Sequence, residues 1–319
     1  MGFVDQVTKD YLREGNVFAD AFNYLLYEGE NVIKPECLSA LNTAKLVKKA
    51  EGKHLEFIER TRDMLRNVVI QQGTNKTYLI LGIESQSYID YAMPVRNFLM
   101  NAIEYAEQVD YIQSINQEGR LTRNSDEYLS GIRKDDKLKP VITLVIYFSH
   151  KKWDGARKLS DMLEDMDEST RKHFNDYELD IIEPATMTDE DFDKFHSNLR
   201  EVLKFLKYSG DKKQMKKLLL EDNNYKKMPR KAAQVINVCA KLNLEVNEEK
   251  EEMDMCQAWE EQKEEGRQEG KQEGITVLIR TLIDLNLSKE EIIERTASNF
   301  LISREQAEEY YCTIESLKN

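Results

Sequence analysis

The sequence has no run of apolar residues that approaches the ~20 needed to span a membrane, and its N-terminus lacks the basic and then apolar pattern of a signal peptide. Its four cysteines lie far apart, no two of them form a C-x-x-C pair, and the chain has no paired histidines. These absences argue against a zinc site and a disulfide framework, and they fit a reducing cytoplasm. We therefore predict a cytoplasmic protein with no membrane partner.

Acidic residues outnumber basic ones, 59 to 46, and the excess of acids is concentrated in the tail. The formal net charge is -13. Residues 245–274 hold twelve acids and four bases, and residues 275–319 hold eight acids and five bases, so only -2 remains for residues 1–244. The acidity therefore argues only weakly against a site for a polyanion in the body of the chain.

Length and composition favour two domains of unequal size. With 319 residues, 40% of them hydrophobic and 33% charged, the chain can bury one good core and still supply a smaller appended module. The chain becomes polar and acidic at Glu245. We predict a main domain over residues 1–244, an acidic helix or linker over 245–274 and a small helical module over 275–319.

A β-hairpin is predicted in the first third of the chain. Residues 64–70 and 77–83 are rich in Val, Ile, Leu and Tyr, and the polar segment between them has turn composition. If this turn closes symmetrically, Ile70 faces Thr77. That register fixes which side chains meet at the open end of the hairpin.

Two acids and an amide converge at this open end. In the predicted register Asp63 lies opposite Glu84, and the period of two places Gln86 on the same face as Glu84. Two facing carboxylates repel unless a cation lies between them, and a divalent ion with oxygen ligands is the usual candidate. The spacing therefore predicts a metal site at Asp63 and Glu84.

Three further residues lie in elements near this pattern. Asp20 lies beside the apolar stripe of a predicted helix over residues 11–28, where an acid is ordinarily solvated. Arg96 follows the hairpin and could either hold a phosphate through two hydrogen bonds or face solvent. An apolar run over residues 141–148 predicts a central buried strand, and His150 just beyond it is either a helper at the site or a solvated loop residue.

A basic region is predicted to be helical. Residues 188–209 have a cap at Thr188, acids in the first turn and bases in the last, which predicts one helix. Residues 204–231 hold ten bases against three acids. This region could follow a phosphate backbone, or it could be a solvated helix face. Its candidates for DNA contact are Lys212, Lys213, Lys216 and Lys217.

The tail contains glycines at helical spacing. Gly266, Gly270 and Gly274 lie four residues apart, and each costs a helix about 1 kcal/mol relative to alanine. Either the glycines permit close approach of a second helix, which predicts a homo-oligomer, or the segment is a flexible linker. Two capping boxes, at Ser288 and Ser303, then predict a helical end module.

The sequences of three segments resemble those of a known family. The segments are FADAFNYLLYEGENVIKPE (residues 18–36), YLILGIESQSYIDYAMPVRN (78–97) and PVITLVIYFSHKKWDG (140–155). Together they resemble the recombination-promoting nuclease family, also labelled "putative transposase", over residues 10–240. The pattern Asp…Glu-x-Gln in a hairpin before a helix is similar to the PD-(D/E)XK nuclease core with its lysine replaced by glutamine.

The resemblance implies an α/β fold with a PD-(D/E)XK restriction-endonuclease-like core, which is a mixed sheet flanked by helices. It further implies a metal-dependent DNA endonuclease, with Mg²⁺, or alternatively Mn²⁺ or Ca²⁺, held by Asp63, Glu84 and Asp20. Gln86 would orient the attacking water but cannot supply the charge of the usual lysine. The implied role is DNA breakage linked to recombination, mobile elements or phage defence.

Two other interpretations stay open. The chain could be a nuclease-fold protein that binds DNA or partners without cutting, with its multimerising tail as the working part. Alternatively, Asp63 and Glu84 could be exposed strand residues, but this requires a register shift of one residue, which would also expose an apolar face.

Overall fold

The structure of the protein is a computed structural model, which describes residues 2–41, 44–51, 54–61, 63–72 and 75–316. The chain divides into two compact units, Met1–Met253 and Asp254–Asn319. No helix in these described ranges is long and apolar enough to cross a membrane.

The first unit contains the strands and nine helices of the described chain. The strands are β1 (Leu38–Ala40), β2 (Ala44–Glu51), β3 (His54–Thr61), β4 (Met64–Gln72), β5 (Asn75–Gln86), β6 (Val141–Tyr147), β7 (Asp180–Ile182), β8 (Met228–Pro229) and β9 (Glu252–Met253). The helices are α1 (Phe3–Leu12), α2 (Gly15–Tyr27), α3 (Met93–Glu118), α4 (Ser125–Ser130), α5 (Glu168–Arg171), α6 (Asp189–Asp193), α7 (Leu199–Tyr208), α8 (Lys212–Glu221) and α9 (Arg230–Ala240).

A five-stranded mixed sheet organises this unit. Its strand order is β1-β4-β5-β6-β7. β1 and β5 are antiparallel to β4, whereas β5, β6 and β7 run parallel. The mixed α/β fold predicted from the sequence is therefore confirmed. β2 pairs only with β3, and β8 pairs with β9, in two small sheets among the described residues.

The predicted hairpin register is also confirmed. Ile70 pairs with Thr77, and Met64 pairs with Ile83 at the open end. Alternation fixes this register, because a slip of one residue would move the buried side chains of β4 and β5 to the wrong face.

Helices cover both faces of the central strands. On the face of Thr143 lies α3, since the Thr143 hydroxyl donates to Asn101 Oδ1 at 2.6 Å. On the opposite face lies α1, since the Ser85 hydroxyl donates to Thr8 Oγ1 at 2.8 Å. Double coverage explains why β6 is apolar at nearly every position, with Thr143 as the polar exception, rather than alternating between apolar and polar residues.

The second unit is helical. It comprises α10 (Met255–Asp284), α11 (Lys289–Phe300) and α12 (Arg304–Ser316). Both predicted capping boxes form: the backbone amide of Glu291 donates to Ser288 and that of Gln306 to Ser303. The apolar core of the unit consists of Ile275, Ile279, Leu282, Ile292, Ile293, Ala307, Tyr311 and Ile314.

Candidate active site

The two predicted carboxylates lie at the same end of the central sheet. Asp63 directly precedes β4, and Glu84 lies in β5 one position beyond the Met64–Ile83 pair. Asp63 Oδ2 accepts a hydrogen bond of 2.8 Å from the backbone amide of Ser85. The chain therefore brings these acids together through strand register, at the end where β5 leads into α3.

The cation beside Asp63 is Lys9, which the sequence analysis missed. Lys9 Nζ lies 2.8 Å from Asp63 Oδ1 and 2.9 Å from Asp5 Oδ2, and its side chain is only 7% exposed. Burial alone would lower the pKa of Lys9, but the hydrogen bonds to Asp63 and Asp5 outweigh it and the pKa is raised. No spacing rule could have linked this helical lysine to a hairpin 54 residues further along the chain.

The cation beside Glu84 is Arg96. Its Nη2 lies 2.8 Å from Glu84 Oε2, and its Nη1 lies 3.6 Å from Asp90 Oδ2. Burial alone would lower the pKa of Arg96, but the charges of Glu84, Asp63 and Asp90 raise it. Glu84 is fully buried, whereas the Arg96 side chain is 34% exposed and can also meet a ligand from solvent.

Two amide side chains are buried near these charges. Gln86 shares the face of Glu84, and its Oε1 accepts no hydrogen bond from any residue in the described ranges. Asn97, which follows Arg96 on α3, is fully buried, and its two amide atoms also lack partners within those ranges. Buried polar atoms are nearly always satisfied, so these groups indicate a place for water or for a ligand.

Asp20 is committed elsewhere in the fold. It is 4% exposed, and its carboxylate accepts hydrogen bonds from the backbone amides of His196 and Ser197 and from the Ser197 hydroxyl at 2.6 to 3.1 Å. The prediction of a single helix over residues 188–209 is wrong. Helix α6 ends at Asp193 and α7 begins at Leu199, and the backbone amides of His196 and Ser197 between them donate to Asp20.

The predicted DNA-contact lysines lie on one helix. Lys212, Lys213, Lys216 and Lys217 are exposed on α8, whose opposite side buries Met215, Leu218 and Leu219. His150 packs near the start of this helix, since a Cβ added to Gly210 would lie 3.0 Å from His150 Cδ2.

The donor set suits magnesium in its chemistry. Asp63 and Glu84 supply carboxylates, and Gln86 supplies an amide oxygen without a hydrogen-bond donor among described residues. Magnesium is commonly held by one or two carboxylates, with water and substrate phosphates completing its shell. No group of three or more His, Cys, Asp or Glu side chains in the described chain is arranged to hold a metal. The carboxylate of Asp20 is instead hydrogen-bonded to His196 and Ser197.

Comparison with known proteins places the chain in a family. Residues 35–232 match the family described as "Putative transposase, YhgA-like". No curated protein and no solved structure matches the chain. The family match spans both Asp63 and Glu84 as well as the basic helix α8. Because it covers more than half of the 319 residues, the chain belongs to this family of transposase-like proteins.

Proposed function

We propose that this protein is a metal-dependent DNA endonuclease that hydrolyses phosphodiester bonds in recombination, in mobile-element movement or in phage defence. The observation that carries the proposal is that Asp63 and Glu84 lie at the same end of two paired strands, with Glu84 two residues before the buried amide of Gln86. The transposase-like family supports action on DNA. The PD-(D/E)XK assignment of the core is part of this proposal.

The metal would be held by Asp63 and Glu84. Magnesium there, or manganese or calcium in its place, would polarise the scissile phosphate and lower the pKa of bound water. The side-chain oxygen of Gln86, Oε1, would accept a hydrogen bond from the attacking water and so orient it. Arg96, half-buried next to Glu84, would hold a phosphate oxygen through its exposed edge.

Lys9 would provide the positive charge that Gln86 lacks. Its ammonium group already touches Asp63, so it lies where negative charge accumulates when a phosphate is attacked. A fixed cation in a site with little water stabilises such charge without reorganisation. The site would thus obtain its lysine from α1 rather than from β5.

A plasmid-nicking assay tests the proposal. Supercoiled plasmid should be nicked with magnesium or manganese and left intact in excess chelator. Gln86→Ala should lower the nicking rate more than it weakens metal binding measured by calorimetry. Nicking by Gln86→Ala at the wild-type rate across a full magnesium titration would remove Gln86 from the mechanism, and wild-type nicking in chelator would refute the metal dependence.

A second candidate function is DNA binding without cleavage. Lys9 and Arg96 already neutralise both carboxylates, so the site is electrostatically balanced in the absence of a metal. In that case DNA would bind equally well with magnesium or chelator, and no nicking would appear under either condition.

We also propose that the tail forms a homodimer. α10 is continuous through Gly266 and Gly270, and a Cβ added at either glycine would meet nothing within 4 Å in the described chain. This open surface lets a second helix approach closely. Gly266→Leu/Gly270→Leu should lower the mass measured by sedimentation, whereas the control Gln268→Leu should not. An unchanged mass for the double variant would refute the dimer.

A further inference from the structure

A cavity of about 480 Å³ opens immediately beyond the candidate active site. Its wall begins at Ser87, the residue after Gln86, and includes Tyr147, which pairs with Gln86 in the sheet. The backbone amide of Phe148, another lining residue, donates to the backbone carbonyl of Gln86 at 2.8 Å. The cavity therefore lies at the carboxyl ends of the parallel strands β5 and β6, which is the usual position for a ligand in such sheets.

The lining combines aromatic faces with cations. Tyr88 and Tyr91 line the cavity while each remains 64% exposed, and Tyr147 lines it from the sheet. Lys151 and Lys241 are exposed lining residues, and neither has an ion-pair partner among the described residues. No acid within the described chain lines the cavity, although Asp154 accepts a hydrogen bond from the Tyr91 hydroxyl just outside it.

A basic surface continues from this cavity. His150 lines it and packs against Gly210, which lies two residues before Lys212 of α8. The exposed lysines of α8 extend away from that point. Free cations at the mouth and a basic helix beyond it suit a chain of phosphates rather than a single anion.

We propose that this cavity binds one unpaired nucleotide of the DNA strand, and this inference rests on the proposed endonuclease function. The base would stack on Tyr88 and Tyr91, and its phosphate would lie between Lys151 and Lys241. A paired base keeps its faces inside the helical stack, so the tyrosine faces are available only to a base that is unpaired or flipped out. The substrate would then be DNA with a single-stranded end, gap or distorted base pair.

Binding of labelled oligothymidylate in excess chelator tests the inference without cleavage. Wild-type protein should bind the single strand more tightly than a blunt duplex of equal length. Tyr88→Ala should weaken single-strand binding about tenfold, within the range for loss of one base-stacking contact. Tyr128→Ala is the matched control, because Tyr128 is 76% exposed on α4 and does not line the cavity.

A salt titration tests the two lysines. Lys151→Gln/Lys241→Asn should reduce the slope of log affinity against log salt by about 0.7, since the two lysines neutralise one phosphate and each phosphate neutralised on a single strand contributes about 0.7. Asparagine is chosen at position 241 because Lys241 has a φ of 55°, which asparagine tolerates. Lys137→Gln/Lys172→Gln, at two exposed lysines outside the cavity, should leave the slope unchanged.

The outcomes separate this inference from the proposed function. If the wild type does not prefer the single strand, or if the cavity variants bind like their controls, the inference is overturned even when plasmid is nicked. If the cavity variants lose binding but the wild type never nicks DNA, the cavity stands as a nucleotide site and the endonuclease proposal fails. If thymidine 5′-monophosphate competes with the labelled oligomer as strongly as unlabelled oligomer does, the cavity binds free nucleotides. That result would refute the proposal that it binds a nucleotide of the DNA strand.

Discussion

At the scale of single residues, the candidate site is a set of paired opposite charges. Asp63 and Lys9 are both nearly excluded from solvent, with exposed side-chain fractions of 5% and 7%. Removing one partner of a buried ion pair is expensive because the other charge stays buried without compensation. Lys9 therefore contributes to stability as well as to the proposed chemistry, and the two roles can be measured separately.

A double-mutant cycle measures the coupling of this pair. We expect Lys9→Met to lower the free energy of unfolding by about 3 kcal/mol, since it leaves the Asp63 carboxylate buried without its ammonium partner. Asp63→Asn introduced into Lys9→Met should restore part of that loss. Urea unfolding of the four proteins gives the interaction energy. Additive effects of the two substitutions would mean that the ion pair contributes no coupling.

Tyr11 gives the protein a dependence on alkaline pH. Its hydroxyl is fully buried and donates to Asn198 Oδ1 at 2.5 Å. Burial raises the pKa of Tyr11 well above 10, and the negative charges of Glu14, Glu201 and Asp20 raise it further. The unfolded chain loses this proton near pH 10 while the folded chain keeps it. The free energy of unfolding therefore falls as the pH rises above about 10.

The variant Tyr11→Phe tests this effect. It should cost about 1 kcal/mol at neutral pH through loss of the hydrogen bond, but it should reduce the decline in stability above about pH 10. Urea midpoints for both proteins across neutral and alkaline pH provide the measurement. Parallel curves for the variant and the wild type would show that Tyr11 does not control the alkaline loss.

At the scale of elements, the connection after α3 is held by charged hydrogen bonds. The hydrogen bonds from Arg123 lower the pKa of Glu127 to about 2. The side chain of Asn116 and the backbone and side chain of Arg133 lower the pKa of Asp136 to about 2. In the unfolded chain these two carboxyls titrate at their ordinary pKa values of 4.5 and 3.8. Their stabilising effect is therefore present above these values and is lost as the pH falls toward 2.

Hydrogen exchange at low pH tests this connection. Amides of residues 120–137 should lose protection between about pH 4.5 and 2, before the sheet does. Arg123→Gln should shift that loss to higher pH, whereas Arg171→Gln, at an exposed arginine on α5, should not. Loss of protection in the sheet and the connection at the same pH would contradict this account.

The three tail glycines differ in their surroundings. A Cβ at Gly274 would lie 3.1 Å from the Phe300 ring, whereas Gly266 and Gly270 have open space. Gly266→Ala and Gly270→Ala should each stabilise α10 by about 0.5 to 1 kcal/mol. Gly274→Ala should gain less or lose stability, because Phe300 must shift. Thermal unfolding followed by circular dichroism at matched concentrations measures the difference, and an equal gain at all three positions would contradict it.

Local patterns predicted the elements and the hairpin register but not the long-range contacts. Alternation and turn composition are local, so the pairing of Ile70 with Thr77 was predictable. The break between α6 and α7 was not predictable, because it depends on a hydrogen bond from the His196 amide to Asp20, which lies 176 residues earlier in the chain. Lys9 was missed for the same reason. The position of Asp63 beside β5 could be predicted from the sequence, but the partners of the charged side chains could not.

At the scale of the whole molecule, charge is distributed unevenly along the chain. Residues 1–244 carry only -2 of the net charge of -13, and their basic residues include the exposed lysines of α8. An acidic tail is compatible with DNA binding by the rest of the chain, because residues 1–244 themselves carry little net negative charge.

We propose that DNA cleavage requires the carboxylate of Glu84. The direct measurement is the nicking rate of supercoiled plasmid by Glu84→Gln in saturating magnesium, with Glu104→Gln as the matched control. Glu104 is buried like Glu84, but it lies on α3. The next residue, Tyr105, accepts a hydrogen bond from the Val141 amide, so Glu104 lies toward the end of β6 opposite the candidate site. Both variants should give the far-ultraviolet circular dichroism of the wild type.

We expect Glu84→Gln to lower the nicking rate at least about a hundredfold, since substitution of residues that only support a metal ligand already costs about 10- to 100-fold. Glu104→Gln should nick within about threefold of the wild-type rate, because a surface or core residue away from the reaction changes stability rather than chemistry. Nicking by Glu84→Gln at the wild-type rate would show that the Glu84 carboxylate has no part in cleavage.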